Sequence, residues 1–153
     1  MNRITAMAKP AGSKVEQVWE GISRAHCSIV AEIEKDMLPQ TGIALGWYQV
    51  LAHLSQAPDG RLRFQDLARV VGISDSGASR RLNQMIKAGF IERFLCASDR
   101  RGVYALMTGK GKSTYVKAHA VFVRSLERNL RQLEPGEAEL VQTALSRLSS
   151  SSN

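Results

Sequence analysis

The stretch FQDLARVVGISDSGASRRLNQMIKAGFIERFLCASDRRGVYALM, Phe64 to Met107, contains the clearest structural signals of this chain. Its apolar spacing predicts a short helix, a turn, a second helix and then a two-stranded hairpin with a basic tip. Gly72 permits a tight turn between the two helices. The Ser74 hydroxyl can accept a free amide hydrogen of the following turn, so we expect the second helix to begin there.

The second helix has two chemically different faces. At about 100° per residue, the residues that can pack inward are Ala78, Leu82, Met85, Ile86 and Gly89. The opposite face carries Ser76, Arg80, Asn83 and Lys87, with Ser79 and Gln84 beside them. Because this outer face offers hydrogen bonds and positive charge and has no carboxylate, it suits the major groove of DNA.

The positive charge of the chain lies mostly on this part of the sequence. The formal net charge is +7, and between Arg61 and Lys117 twelve Lys or Arg residues stand against four Asp or Glu residues. The release of counterions from phosphates would favour DNA as a partner for such a segment. A solvated basic surface would have the same composition, so both interpretations stay open here.

The predicted hairpin carries two adjacent arginines, Arg100 and Arg101, in the connection from Ala97 to Gly102. An arginine side chain is long enough to enter a minor groove, where the negative potential attracts it. Asp99 can hold the loop through a salt bridge or a hydrogen bond to an arginine. The tip is therefore a candidate DNA contact, with a solvated loop as the alternative.

Amphipathic helices are predicted on both sides of this segment. A long helix from Lys14 to about Met37 has an apolar stripe formed by Val15, Val18, Ile22, Ala25, Ile29 and Ile33, which needs a large partner. Pro39 and Gly42 are expected to interrupt the helical structure before a second helix, Ile43 to Ser55. Arg61-Leu62-Arg63 is predicted to be a short strand that pairs with the hairpin.

After the hairpin, Thr108 is expected to cap a long helix from Lys110 to Leu133, with an apolar stripe of its own. Pro135 then suits the first position of a last helix. Residues 1–13 are expected to form a flexible arm, and residues 149–153 a disordered tail.

The composition is that of an ordinary folded protein, since 44% of the 153 residues are hydrophobic and 23% are charged. Cys27 and Cys96 have neither a CxxC partner nor a histidine at metal spacing, so neither a disulfide framework nor a metal site is indicated. The N-terminus lacks the apolar core of a signal peptide. The uncharged stretch 37–58 is interrupted by Pro39 and glycines, so no membrane span is predicted. We expect a cytoplasmic protein without a cofactor.

This order of elements resembles the MarR family of winged-helix transcription regulators. The resemblance rests on Leu67-Ala68, on Ser76 to Arg80, on Gly89-Phe90-Ile91-Glu92-Arg93, and above all on the wing. There, Ser98-Asp99-Arg100-Arg101-Gly102 followed by Leu106-Met107-Thr108 and Gly111 looks like the family's wing signature, D-x-R and L-T-x-x-G. Two positions depart from the family: Arg81 replaces an apolar residue at the buried edge, and Gln84 replaces a basic one.

The resemblance implies a mainly α fold with a small antiparallel β-wing in a single domain, 14–148. A winged helix-turn-helix, 43–107, would lie between N- and C-terminal dimerisation helices, 14–42 and 108–148. Such a homodimer would bind double-stranded DNA at a pseudo-palindromic operator and act as a repressor. The predicted DNA-binding residues, of which the outer face of the second helix supplies most, are Ser74, Ser76, Ser79, Arg80, Asn83, Lys87, Asp99, Arg100 and Arg101.

Many members of this family release DNA when a small aromatic or phenolic ligand binds between the dimer helices and the reading lobe. The residues that could line such a crevice here are His26, Trp47, Tyr48 and His53. Aromatic residues at helical spacing are also typical of a core. Some relatives respond to oxidation through a first-helix thiol, which makes a redox response through Cys27 an alternative. A buried, unreactive Cys27 is the expectation.

No enzyme is predicted. The segment Gly109 to Thr114, GKGKST, contains the end of a phosphate-binding loop, but Leu106 occupies the position of the required first glycine. No catalytic triad, carboxylate pair or metal-protease motif is present. A winged-helix protein-interaction module without sequence-specific DNA binding is the remaining alternative, because a fold alone does not give a function.

Overall fold

The computed structural model describes residues 12–57, 59–71, 74–95 and 102–150, and it contains six helices and three strands in that part of the chain. The helices are α1 (Lys14–Thr41), α2 (Leu45–Gln56), α3 (Phe64–Val70), α4 (Asp75–Lys87), α5 (Gly109–Leu130) and α6 (Pro135–Ser150). The strands are β1 (Arg61–Arg63), β2 (Ile91–Leu95) and β3 (Val103–Met107). The predicted mainly α fold with a small antiparallel wing is confirmed.

Helix α1 begins with a capping box. The Glu16 backbone N–H donates to the Ser13 hydroxyl at 3.3 Å, and the Ser13 N–H donates to the Glu16 carboxylate at 2.6 Å. Two amide groups that the helix leaves without partners are satisfied in this way. Ser13, predicted to belong to the flexible arm, is therefore the helix cap, while residues 1–11 of that arm lie outside the described residues.

The predicted break at Pro39 is wrong, because α1 continues through it to Thr41. Pro39 lies in the last turn, where the missing N–H removes only one hydrogen bond. The Thr41 hydroxyl donates to the Met37 carbonyl at 2.7 Å, which helps to hold that turn. The helix ends at Gly42, whose φ of 74° is left-handed and whose N–H donates to the Leu38 carbonyl at 2.9 Å.

The core lies where α1, α2 and α5 meet the helix-turn-helix and the sheet. Its largest fully buried side chains are Met37, Ile43, Val50, Leu51, Leu54, Leu67, Leu82, Met85 and Ile91. Of the five positions predicted to pack inward, Ala78, Leu82 and Met85 are confirmed, since each is at most 3% exposed. Ile86 is half-buried, and the inward prediction for Gly89 is wrong, because this residue is exposed where the chain leaves the helix. This packing leaves the opposite face of α4 exposed to solvent.

The sheet is antiparallel with the strand order β1-β3-β2. The short strand predicted at Arg61–Arg63 pairs with β3, with Arg61 opposite Leu106 and Arg63 opposite Tyr104. Strands β2 and β3 form the wing, from the Ile91–Met107 pair to the Leu95–Val103 pair. The tip between them, 96–101, lies outside the described residues.

Helix α4 is attached to α5 at its C-terminal end. Gly89 has a φ of 76° and reverses the chain, and the Thr108 hydroxyl donates to the Gly89 carbonyl at 2.7 Å. The same hydroxyl caps α5, as predicted, by accepting from the Gly111 N–H at 3.0 Å. The Lys110 ammonium donates to the Ala88 carbonyl at 2.7 Å, where a cation also favours the helix dipole.

Helix α6 extends to Ser150, two residues into the segment 149–153 for which we predicted disorder. All of its residues are exposed, including Leu140, Val141, Leu145 and Leu148. At the other end of the chain, Val15 and Trp19 of α1 are also exposed, at 79% and 68%. In a single chain, the apolar stripe of α6 and the N-terminal part of the α1 stripe are therefore uncovered, whereas Ile33 of α1 is buried.

Candidate nucleic-acid interface

Helix α4 is capped at both ends by its own sequence. The Ser74 hydroxyl accepts from the Gly77 N–H at 3.3 Å, which confirms the predicted start of the helix. At the other end, the Gly89 N–H donates to the Ile86 carbonyl and the Phe90 N–H to the Met85 carbonyl. This pair of bonds is the Schellman ending, which the left-handed Gly89 permits. The helix therefore has defined ends that hold its outer face in place.

The outer face of α4 is exposed to solvent. Each of the predicted DNA-binding residues in this part of the chain is exposed: Ser74, Ser76, Ser79, Arg80, Asn83 and Lys87. Ser74 and Ser76 lie 3.3 Å apart at their hydroxyl oxygens, so the N-terminal turn presents two adjacent hydroxyl groups. The structure thus brings these side chains onto one accessible surface.

An open depression of about 480 Å³ lies beside this face and is lined by Ser74, Gly77, Arg80, Arg81 and Gln84. Arg81 is half-buried, as its position near the buried edge suggested. Its guanidinium covers the backbone of Gly46, where a Cβ atom would lie 2.8 Å from the Arg81 Cζ. Arg81 therefore uses the space that the missing side chain of α2 leaves, and its charge stays beside the outer face.

Two arginines that are not among the predicted DNA-binding residues border the same surface. The Arg93 guanidinium on β2 donates from Nη2 to Oδ1 of Asn83 at 2.7 Å. Arg63 on β1 donates from Nε to the Tyr104 hydroxyl at 2.9 Å. A cleft of about 230 Å³ between them is also lined by Phe64, Gln65, Gly102 and Val103. These cations extend the positive surface from α4 toward the wing.

The alternation of side chains along β2 could have identified Arg93 as a residue that lies beside the helix-turn-helix. Side chains alternate between the two faces of a strand, so Arg93 shares a face with Ile91, which is buried against the helices. Ile91 and Arg93 pair with Met107 and Ala105, which are both buried. Arg93 therefore leans toward α3 and α4 and not away from them.

The wing-tip residues Asp99, Arg100 and Arg101 lie outside the described residues, so their role stays a prediction. The sheet that leads to the tip is described, and its first strand carries a further cation. Arg61 on β1 lies over the rings of Phe94 and Tyr104, at 5.2 and 5.9 Å from their centroids.

The four residues predicted to line a ligand crevice do not share one set of contacts. Trp47 packs edge-on against Phe90, with ring centroids 5.4 Å apart. Tyr48 lies against α5, where it contacts Tyr115, His119 and Phe122. His26 is exposed on α1, and His53 is half-buried on α2. The ligand crevice therefore stays a prediction. Of its four residues, Tyr48 lies in an aromatic cluster with side chains of α5.

Tyr48 is held by its hydroxyl group as well as by its ring. Its oxygen lies 2.9 Å from Nδ1 of His119. Burial raises the pKa of Tyr48 to about 12, so the phenol keeps its proton at neutral pH and can donate it to the imidazole. This contact joins α2 of the DNA-binding lobe to α5.

Cys27 is exposed in the described chain, so the expected burial of this thiol is wrong for a single chain. Its neighbours along α1, residues 24–28, are exposed as well. Among the described residues, no group of three or more His, Cys, Asp or Glu side chains could hold a metal ion. Nor does any helix of the described part combine the length and the apolar character that a bilayer crossing needs.

Two successive short helices, of which the second is exposed and cationic, and an adjoining two-stranded wing define a winged helix-turn-helix DNA-binding protein. The sequence model described as MarR family matches residues 41–102. The HTH-type transcriptional regulator BilQ of Clostridium symbiosum is 30% identical over 114 residues, which are 74% of this chain and 78% of that protein. The chain belongs to the MarR family, whose members are transcriptional regulators and not enzymes.

Solved structures agree with this assignment. AbsC, a MarR family transcriptional regulator from Streptomyces coelicolor, superposes with a TM-score of 0.83 at 28% identity, over 93% of this chain and 97% of AbsC. Sco3205 from the same organism, solved in complex with DNA, has a TM-score of 0.84 at 20% identity, over 95% of this chain and 92% of its own. The similarity to Sco3205 concerns the fold.

Proposed function

We propose that this protein is a sequence-specific transcriptional repressor that binds a pseudo-palindromic operator as a homodimer. The proposal rests on the outer face of α4, which exposes Arg80, Asn83 and Lys87 beside the hydroxyl groups of its first turn. Arginine and asparagine are side chains that discriminate bases in the major groove, and serine can contact bases or phosphates. A dimer bound over a promoter would exclude the polymerase, which is why we infer repression.

The homodimer is supported by two uncovered apolar surfaces, the stripe of α6 and the N-terminal part of the α1 stripe. A helix of 16 residues whose leucines all face water is not stable by its own propensity and needs a partner surface. A second copy of the chain offers the same two stripes and can cover both. Two copies would then present two α4 helices to half-sites about one turn of DNA apart.

The proposal is tested by selecting duplexes from a randomised library with the wild-type protein and then titrating them by fluorescence anisotropy. Arg80→Ala should weaken binding to the selected duplex by roughly tenfold, because a good contact to a base contributes about 1–3 kcal/mol. Its affinity for a shuffled duplex should change much less.

Lys35→Ala is the matched control. It also removes one positive charge, but Lys35 lies on α1 and faces Glu32 at 3.9 Å. Binding to the selected duplex should weaken as salt rises, since phosphate contacts release counterions. Equal affinity of the wild type for selected and shuffled duplexes would instead favour a protein-interaction module.

The wing tip and the effector are further parts of the expected mechanism. We propose that Arg101 enters the minor groove and that Asp99 orients it, as the family resemblance implies. Release by a small aromatic or phenolic ligand stays a prediction, as does a redox response through the exposed Cys27. The Tyr48–His119 contact is the described feature whose chemistry fits a phenolic ligand.

A further inference from the structure

Asn83 on α4 does not stand alone on the outer face. Its Oδ1 accepts a hydrogen bond of 2.7 Å from Nη2 of Arg93, ten residues further along the chain on β2. A guanidinium has five N–H donors and no acceptor, so the atom that faces it must be the amide oxygen. The contact therefore defines which way the Asn83 amide is turned.

Arg93 is itself held in place. Its guanidinium lies over the ring of Phe64, the first residue of α3, at 5.5 Å from the centroid. Its backbone belongs to β2, in register with Ala105 of β3. Stacking on an aromatic ring and pairing in a sheet both limit the positions that a long side chain can adopt. The donor to Asn83 therefore comes from a restrained group.

The orientation of the amide limits what it can recognise. An unrestrained asparagine recognises adenine through two bonds, in which Oδ1 accepts from N6 and Nδ2 donates to N7. In this structure a cation lies against Oδ1, and its positive charge disfavours the approach of a second donor such as the adenine amino group. The two hydrogens of Nδ2 stay available. They match an edge with two neighbouring acceptors, which guanine offers through O6 and N7.

We propose that Arg93 is a positioning residue that turns Asn83 into a donor-only contact and so directs it to guanine and away from adenine. This inference rests on the proposed function, because it concerns the same DNA-binding surface. It concerns which base one side chain prefers, and Arg93 acts through Asn83 without having to touch the DNA.

The experiment is selection from a randomised duplex library, with the base preference at each position measured by sequencing the bound fraction. Asn83→Ala identifies the position that Asn83 contacts, because only there should the preference flatten. In the wild type that position should be a G·C pair. In Arg93→Ala, the ratio of G·C to A·T at the same position should fall by at least roughly fivefold, because the freed amide can bind adenine through two bonds.

Two variants separate positioning from simple charge or folding effects. Arg93→Lys keeps one cationic donor for Oδ1 and should restore most of the G·C preference. Arg69→Ala removes the same charge from α3, where Arg69 pairs with Asp66 at 3.5 Å, and should leave the preference unchanged. Thermal unfolding of each variant by circular dichroism shows whether it is folded.

The outcomes are distinguishable. A wild type that enriches no sequence overturns the proposed function and this inference together. A wild type that enriches a sequence, but with an A·T pair at the Asn83 position, overturns only the inference, even if Arg93→Ala fails to fold. An unchanged preference in folded Arg93→Ala, with weaker binding to all sequences, would make Arg93 a phosphate contact and would also overturn the inference alone.

Discussion

Gly111, in the first turn of α5, lies directly against the backbone that leaves α4. A Cβ atom at this position would be 2.2 Å from the Phe90 carbonyl oxygen and 2.7 Å from Cγ of Met107. The Phe90 carbonyl also accepts from the Thr108 N–H at 3.1 Å, so it cannot move without breaking that bond. The close approach of α5 to the end of α4 therefore explains why glycine is needed at this position of the wing signature.

Gly111→Ala is expected to destabilise the protein by about 1–3 kcal/mol or more, because overpacking against backbone is not relieved by a side-chain rotation. The measurement is urea denaturation at a fixed protein concentration. Gly109→Ala is the matched control in the same turn, since its Cβ would meet nothing within 4 Å. If both variants lose the same free energy of unfolding, the close approach is not the cause.

Helices α1 and α5 are held together by a charged contact as well as by apolar packing. The Arg128 guanidinium on α5 donates to the Asp36 carboxylate on α1, and it lies 3.9 Å from Glu32. The hydrogen bond from Arg128 is the main cause that holds the pKa of Asp36 below its usual 3.8. The Asp36 side chain is 21% exposed, so water screens this contact only in part.

The lowered pKa of Asp36 predicts how stability depends on pH. Folding favours the ionised carboxylate, so the contribution is present above about pH 4 and is lost as the pH falls through the lower folded-state pKa. Asp36→Asn should therefore be less stable than the wild type at pH 6–7, and the difference should shrink below about pH 4. Parallel urea titrations between pH 3 and 7 measure it.

Glu32→Gln provides the comparison for this prediction. Glu32 lies at 3.9 Å from the same arginine, and its side chain is 43% exposed. The longer distance and the greater exposure imply a smaller effect. A difference between wild type and Asp36→Asn that stays constant from pH 7 to pH 3 would contradict the assigned contact.

The exposed apolar residues of α6 and of the N-terminal part of α1 determine the expected assembly. Leu145 lies on the apolar side of α6 with Val141 and Leu148, and it is 46% exposed in the single chain. We expect Leu145→Glu to raise the dissociation constant of the dimer by at least roughly tenfold, because a carboxylate would be buried in an apolar interface. Light scattering after size-exclusion chromatography measures the mass of the particle in solution, which distinguishes the dimer from the monomer.

The control is Gln142→Glu, which places the same charge about 60° further around the helix from Leu145. This variant should keep the mass of the dimer. Leu145→Glu should also weaken binding to the selected duplex, because two linked α4 helices bind DNA more tightly than one. A Leu145→Glu protein that remains fully dimeric would show that α6 does not form the interface.

Much of the fold was predictable because its signals are local. The capping bonds of Ser74 and Thr108 and the turn at Gly89 join groups within a few residues of each other, and the buried positions of α4 follow helical periodicity. The end of α1 was predicted wrongly because the prediction relied on the local propensity of one residue. The propensity of Pro39 argues for a break, but the Thr41 hydroxyl bond and the buried Met37 outweigh it.

The order of elements, the cationic outer face of α4 and the family are predictable from the amino-acid sequence alone. Which distant residues contact one another depends on how the elements pack. Arg93 meets Asn83, Gly111 meets Phe90, and Arg128 meets Asp36 across 92 positions. Periodicity and capping depend on neighbours in the chain, whereas these contacts depend on how finished elements pack against one another, which no local pattern encodes.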